Sequence, residues 1–124
     1  TIWHHEADLW IMDLATGERR NLTKANSADT DSFHNWSSNS RWMVISSRRD
    51  DGLFTRPYFC HIDAEGNASK AFMLPQKNPK RHYQELYMSY NVPDFISGSV
   101  AFDNVAAADL INQKERKPMK VREQ

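Results

Sequence analysis

The stretch NWSSNSRWMVISSRRDDG, residues 35–52, decides how this chain is read. Two indoles, Trp36 and Trp42, bracket the tetrapeptide Ser37-Ser38-Asn39-Ser40. Serine and asparagine side chains bond to nearby backbone and so favour a tight turn. Behind Trp42, Met43-Val44-Ile45 is an apolar run of strand length. Arg48-Arg49-Asp50-Asp51-Gly52 follows as a charged connection carrying an Asp-Gly turn signal. Short strand, turn, buried strand and charged hairpin therefore succeed one another without a helical period.

Working outward, the same plan continues on both sides. RPYFCHID (56–63) reads as a strand, with Pro57 near its start where a missing N–H is tolerated. AEGNA turns at Gly66, and SKAFMLP (69–75) closes a fourth strand before Pro75. Upstream, KANSADTDS (24–32) is a loop by composition and ERRNLT (18–23) a polar, edge-like strand. ADLWIMDL (7–14) alternates, with Leu9, Ile11 and Asp13 on one face and Trp10, Met12 and Leu14 on the other. Both faces are mostly apolar, which predicts a strand buried on both sides.

An internal repeat emerges from these pieces. DLWIMDLATGERRNLT aligns with PYFCHIDAEGNASKAFMLP, pairing Leu9 with Phe59, Trp10 with Cys60 and Asp13 with Asp63 at one constant offset. Gly17 falls opposite Gly66, one residue out of step. Four-stranded repeats of about 40 to 50 residues are the mark of a propeller. The runs WSSNSRWMVISS and YFCHIDAEG resemble the TolB-type propeller repeat, a relative of WD repeats. The matching positions are Trp36, Ser37, Ser40, Trp42 to Ser47, Ile62, Asp63 and Gly66. Two departures stand out: Ser38-Asn39-Ser40 replaces the usual Pro-Asp-Gly, and Met73-Leu74-Pro75 replaces a terminal Leu-Thr.

The resemblance implies an all-β fold, a partial β-propeller of about one and a half four-stranded antiparallel blades with a short helical C-terminal tail. A partial blade would span 1–23 and a full blade 33–75, making 1–75 the propeller portion and 76–124 the helical or irregular tail. Trp36 and Trp42 would wedge between neighbouring blades, each able to bury on the order of 150 to 250 Å². A propeller needs roughly four to eight blades. One open sheet face is therefore expected, covered by further blades of a larger chain, by self-association or by the tail. The start TIWHHE, without Met or signal peptide, is read as that of a fragment or processed product.

The tail has its own signals. Asn78-Pro79 has the form of an N-cap and first helical residue. Tyr83, Leu86, Tyr87 and Tyr90 follow at helical spacing up to Pro93. A second helix is predicted from Asp103 as its cap to just before Pro118, with a short apolar face of Val105, Ala108 and Ile111.

Composition narrows the function. Sixteen basic residues balance sixteen acidic ones, which argues against nucleic acid as a partner. Cys60 is the only cysteine, read as buried and inert, so no internal disulfide or CxxC zinc pair is possible. No apolar run reaches 18 residues, and no membrane span is expected. His4, His5, His34 and His61 read as strand-end histidines bonded to backbone or water; no metal or cofactor is expected. Asp8, Asp13 and Asp63 read as turn-forming carboxylates. No GxSxG elbow is present. Arg48, Arg49 and Arg56 flank one hairpin, neutralised by Asp50 and Asp51 in a solvated tip, with anion binding as the other reading.

The expected function is a non-catalytic binding module for a protein or peptide. Trp3, Trp10 and Phe54 are the candidate apolar anchors, and Arg48, Arg49 and Arg56 the candidate polar ones. The resemblance implies a periplasmic or cell-envelope setting. The alternative is the propeller portion of an enzyme, of the oligosaccharide-lyase or prolyl-peptidase type, with its catalytic residues elsewhere; whether the whole protein is an enzyme stays open.

Overall fold

The computed structural model describes residues 4–101 and 103–112; residues 1–3, 102 and 113–124 lie outside it. The protein is mostly β, with two antiparallel sheets and two short helices. Strands β1 (Trp10–Met12) and β2 (Arg19–Asn21) form a hairpin. Strands β3 (Asp31–Trp36), β4 (Trp42–Ser47), β5 (Arg56–His61) and β6 (Phe72–Met73) form a meander in the order β3-β4-β5-β6. Neither sheet closes on itself among the described residues.

Local chemistry sets each turn. In the stretch between the tryptophans, the Ser37 hydroxyl accepts from the Trp42 amide at 3.0 Å. The Asn39 side-chain Oδ1 accepts from the Arg41 amide at 3.1 Å, and the Ser40 amide donates to the Ser37 backbone carbonyl at 2.9 Å. The two aligned hairpins turn by one device. Asp13 Oδ1 accepts from the amides of Ala15 and Thr16 at 2.7 and 3.2 Å. Asp63 Oδ1 accepts from those of Glu65 and Asn67 at 3.0 and 2.7 Å. Gly17 and Gly66 then take φ of +75° and +76°, a left-handed conformation that a Cβ would strain. Asp8 differs from its expected role: its carboxylate accepts from the Asn21 side chain across the hairpin, not from a turn amide.

The hairpin lies against one face of the four-stranded sheet. Leu9 and Leu22 from the hairpin region meet Met43, Ile45, Tyr58, Cys60 and Ile62 in the core. Burial of each large aliphatic side chain stabilises by about 1.5 to 3 kcal/mol. The 24–30 connection is tied down by Asp31, which is buried and paired with Arg49 at 2.6 Å. Ser27 donates to the same carboxylate from both amide and hydroxyl. Arg49 also donates to the Ala25 carbonyl, so one guanidinium joins the loop to β4. The charged hairpin tip is thus not the solvated cluster expected. Arg49 turns inward to Asp31 and the Ala25 carbonyl and Arg56 to the carbonyls of Tyr83 and Met88, while Asp50 and Asp51 stay exposed.

The opposite face of the same sheet carries Val44, Ser46 and Phe59, and the tail lies on part of it. Helix α1 (Pro79–Glu85) starts as the sequence indicates: the Asn78 side chain accepts from the Arg81 amide, with proline in the first turn. It ends sooner than the tyrosine spacing predicts. Leu86 is extended, and Tyr87 and Tyr90 lie beyond the helix. Tertiary bonds outweigh helical period here. Arg56 donates to the carbonyls of Tyr83 and Met88, both at 2.8 Å. Ser46 donates to Tyr90 at 2.6 Å, and Asn35 to the Pro93 carbonyl at 2.7 Å. The chain after Leu86 is therefore a strap, laid across the sheet by side chains that need carbonyl partners. Helix α2 (Asn104–Asn112) is capped by Asp103, which accepts from the Val105 amide at 2.9 Å, and buries no residue. Its predicted continuation to Pro118 lies outside the described residues.

Candidate functional site

Strand β1 has β2 on one side and no paired strand on the other among the described residues. A groove of about 250 Å³ runs along that open side. Trp10, Met12 and Leu14 border it from the hairpin, and His34, Trp36 and Met43 from the facing sheet. No charged side chain lines it. Trp10 is 63% exposed, and Met12 and Leu14 are exposed as well. The expected burial of β1 on both faces does not hold. Leu9 and Ile11 face the neighbouring sheet, while the Trp10 side of the strand has no sheet against it among the described residues.

The two bracketing tryptophans are only partly sheltered. Trp36 is 40% exposed at the groove. Trp42 is 38% exposed and packs edge-on against His61 at 5.1 Å and Phe72 at 6.2 Å, on the face the strap leaves open. Trp36 lies on the Met43 face of the sheet and meets the hairpin across the groove, whereas Trp42 lies on the other face.

Strand β3 adds a second irregular feature. Its pairing with β4 slips between Ser32 and Asn35, and Phe33 takes a φ of +45°. A bulky residue in the left-handed region is a strained one. This bulge turns both Phe33 and His34 out to solvent.

The expected anchors fall into separate places. Trp10 lies at the groove. Trp3 lies outside the described residues. Arg48, Arg49, Phe54 and Arg56 lie at the far end of the four-stranded sheet, where Asp31 pairs with Ser47 and not where Trp36 pairs with Met43. Arg56 is 2% exposed, so its guanidinium is committed to the strap and to Asp51. Its plane lies 5.1 Å from the Phe54 ring, and Phe54 packs edge-on against Tyr87. Arg49 stacks on Tyr58 at 4.6 Å, and Arg48 is half-buried. This end of the molecule is occupied by its own chain.

No protein-family model, curated protein or solved structure matches the chain. Its chemistry is read from the geometry alone. His5 meets Asp29 at 3.0 Å, His34 stands at the groove and His61 lies under Trp42. Among the described residues no three His, Cys, Asp or Glu side chains converge to hold a metal. The Asp29 carboxyl is held below its usual value, first by the Thr30 amide and then by His5. Burial pushes the Cys60 thiol up to about 11, which leaves it protonated and a poor nucleophile. No helix among the described residues is long and apolar enough to cross a membrane.

Sequence reasoning missed Met12, Leu14 and Trp36 as members of this surface. The signal was present: alternation places Trp10, Met12 and Leu14 on one face.

Proposed function

We propose that the chain supplies blades of a β-propeller that serves as a non-catalytic binding module for a protein or peptide partner. One observation carries this reading: the two aligned hairpins stand one behind the other and touch. Arg20 of the first donates to Asn67 at 3.0 Å and to the Glu65 carbonyl at 2.5 Å in the turn of the second. Gly66 lies so close that an added Cβ would sit 2.6 Å from the Arg20 guanidinium. A sequence repeat realised as a spatial repeat of stacked sheets is how propeller blades follow one another. The meander order of the four-stranded sheet fits the same reading. The exposed aromatic groove at Trp10 and Trp36 is the surface that such a module would offer. A cell-envelope setting belongs to this proposal through the repeat resemblance alone.

The test compares the 124-residue chain with its Trp10→Ala/Trp36→Ala double variant, each immobilised and exposed to cell extract. Trp10 is largely exposed and Trp36 more than half covered, so the double variant should lose about 2 to 3 kcal/mol, and its folding is checked by circular dichroism before the comparison. Proteins retained by the parent and lost from the variant support the reading. Identical retention by both would overturn the groove as the binding surface.

A further inference from the structure

We infer that the cavity between the two aligned hairpins is a binding site for a small carboxylate anion. The cavity has a volume of about 230 Å³. One wall is 20–24, the end of β2 and the turn that follows it. The other is Asp63 with 66–68, the turn beyond β5. It shares only Leu22 with the groove at Trp10, so it is a second site and stands apart from the binding-module reading. Drug-sized ligands occupy about 300 to 1,000 Å³. This space therefore suits a smaller molecule.

Arg20 is held in place before any ligand arrives. It donates to Asn67 Oδ1 and to the Glu65 carbonyl, and it lies against the bare backbone of Gly66, where a Cβ would meet it at 2.6 Å. A long side chain fixed in this way has little freedom left to lose on binding. Two of the five guanidinium N–H groups are used in these bonds, and the rest have no partner among the described residues.

The remaining polar groups decide the ligand's class. Every carboxylate and amide oxygen of the lining side chains is already engaged. Asp63 Oδ1 accepts two backbone amides and its Oδ2 accepts from the Asn67 side chain at 3.1 Å. Asn67 Oδ1 accepts from Arg20, and Asn21 Oδ1 accepts from Asn26. The donors are not used up: the Lys24 ammonium and the Thr23 hydroxyl have no partner among the described residues, and Arg20 keeps its outer N–H groups. Such a lining takes an acceptor-rich ligand. Arg20 and Lys24 face one carboxylate, Asp63, which leaves one positive charge in surplus. That surplus matches a carboxylate better than a phosphate, which carries about two negative charges. Fixed guanidinium and mobile ammonium then supply charge-assisted bonds to the two carboxylate oxygens.

The experiment titrates the full 124-residue chain with glycolate at constant ionic strength and follows its amide resonances by NMR. Saturable millimolar binding is expected, with shifts gathered at Thr23, Lys24, Gly66 and Asn67. Glycolamide, of the same shape and without charge, should produce no saturable shift. Lys24→Gln is an exposed substitution that should leave the melting temperature unchanged and weaken glycolate binding about tenfold. Arg20→Lys keeps the charge and removes the planar fork, and it should weaken binding at least as much. A linear, unsaturated drift, shifts centred elsewhere, equal binding of glycolamide, or full affinity in Lys24→Gln would each overturn the inference. Tighter binding of inorganic phosphate than of glycolate at the same resonances would overturn the carboxylate class. Loss of partner retention in the Trp10→Ala/Trp36→Ala variant with glycolate binding intact would support two separate sites.

Discussion

The hairpins β1–β2 and β5–β6 are built from the same local instructions and live in different surroundings. Each turns through an aspartate that accepts two backbone amides, followed by a left-handed glycine. Yet Cys60 is fully buried where Trp10 is largely bare. The second hairpin has β4 on its edge and the first hairpin across its face. Among the described residues the first has neither on the Trp10 side. Turn geometry is thus a property of a few consecutive residues, whereas burial is a property of what stands alongside. An apolar side chain on a strand tells only that the strand can be covered.

The sharpest way to break this comparison is to place one probe at both equivalent positions. Cys60 should react with iodoacetamide at pH 8 at least about a hundredfold more slowly in the folded chain than in urea, being buried and with its thiol raised to about 11. A Trp10→Cys thiol, assayed in a Cys60→Ala background, should react at close to the unfolded rate. Similar rates at the two sites would erase the distinction between a closed and an open hairpin.

Core truncation should separate the hairpins next. Ile45 on β4 is fully buried, and Ile45→Ala should cost about 3 kcal/mol in urea denaturation. Ile11 on β1 is only partly covered, and Ile11→Ala should cost about 1 kcal/mol. Equal costs would mean that the first hairpin is held as firmly as the sheet it leans on.

The glycines sharpen the comparison further. Gly17 has nothing within 4 Å of an added Cβ, so Gly17→Ala should carry the left-handed strain alone, about 1 kcal/mol. Gly66→Ala carries the same strain and also displaces Arg20 from Asn67 and Glu65, for a total of about 2 kcal/mol. The excess over Gly17→Ala, measured by thermal melting, reports the contact between hairpins. In an Arg20→Ala background that excess should vanish.

Acid should produce the smallest effect. The Asp63 carboxyl is held below its usual 3.8, first by the Asn67 amide and then by the Asn67 side chain. A depressed carboxylate lends stability that is complete above the unfolded value and is lost as pH falls through the folded one. The turn should therefore loosen only below pH 3.8, seen as a shift of the Gly66 amide resonance in an NMR titration, and Asp63→Asn should abolish that transition. A midpoint above 3.8 would contradict the bonding at this turn.

Much of the fold was legible because its signals are local. The bonds of Ser37 and Asn39, the Asp-Gly turns, the strands 42–47 and 56–61 and the Asn78 cap all depend on neighbours within a few residues. What was not legible depends on distant partners. Nothing near Arg56 in the sequence announces that it will serve the carbonyls of Tyr83 and Met88, so it read as a surface charge. The tyrosine spacing after Asn78 promised a longer helix, but Ser46, Asn35 and Arg56 draw those residues out as a strap. The groove was half visible: the alternation of Trp10, Met12 and Leu14 marks its face, while the approach of Trp36 and Met43 from the facing sheet exists only in three dimensions.

The slipped pairing at Phe33 has a consequence for how copies of this chain behave when crowded. Fibrils grow when each subunit both receives a strand on one border and offers a flat border to the next. Here the border at β3 is kinked by a residue forced into left-handed space, so a strand arriving at that border cannot pair with it along its whole length.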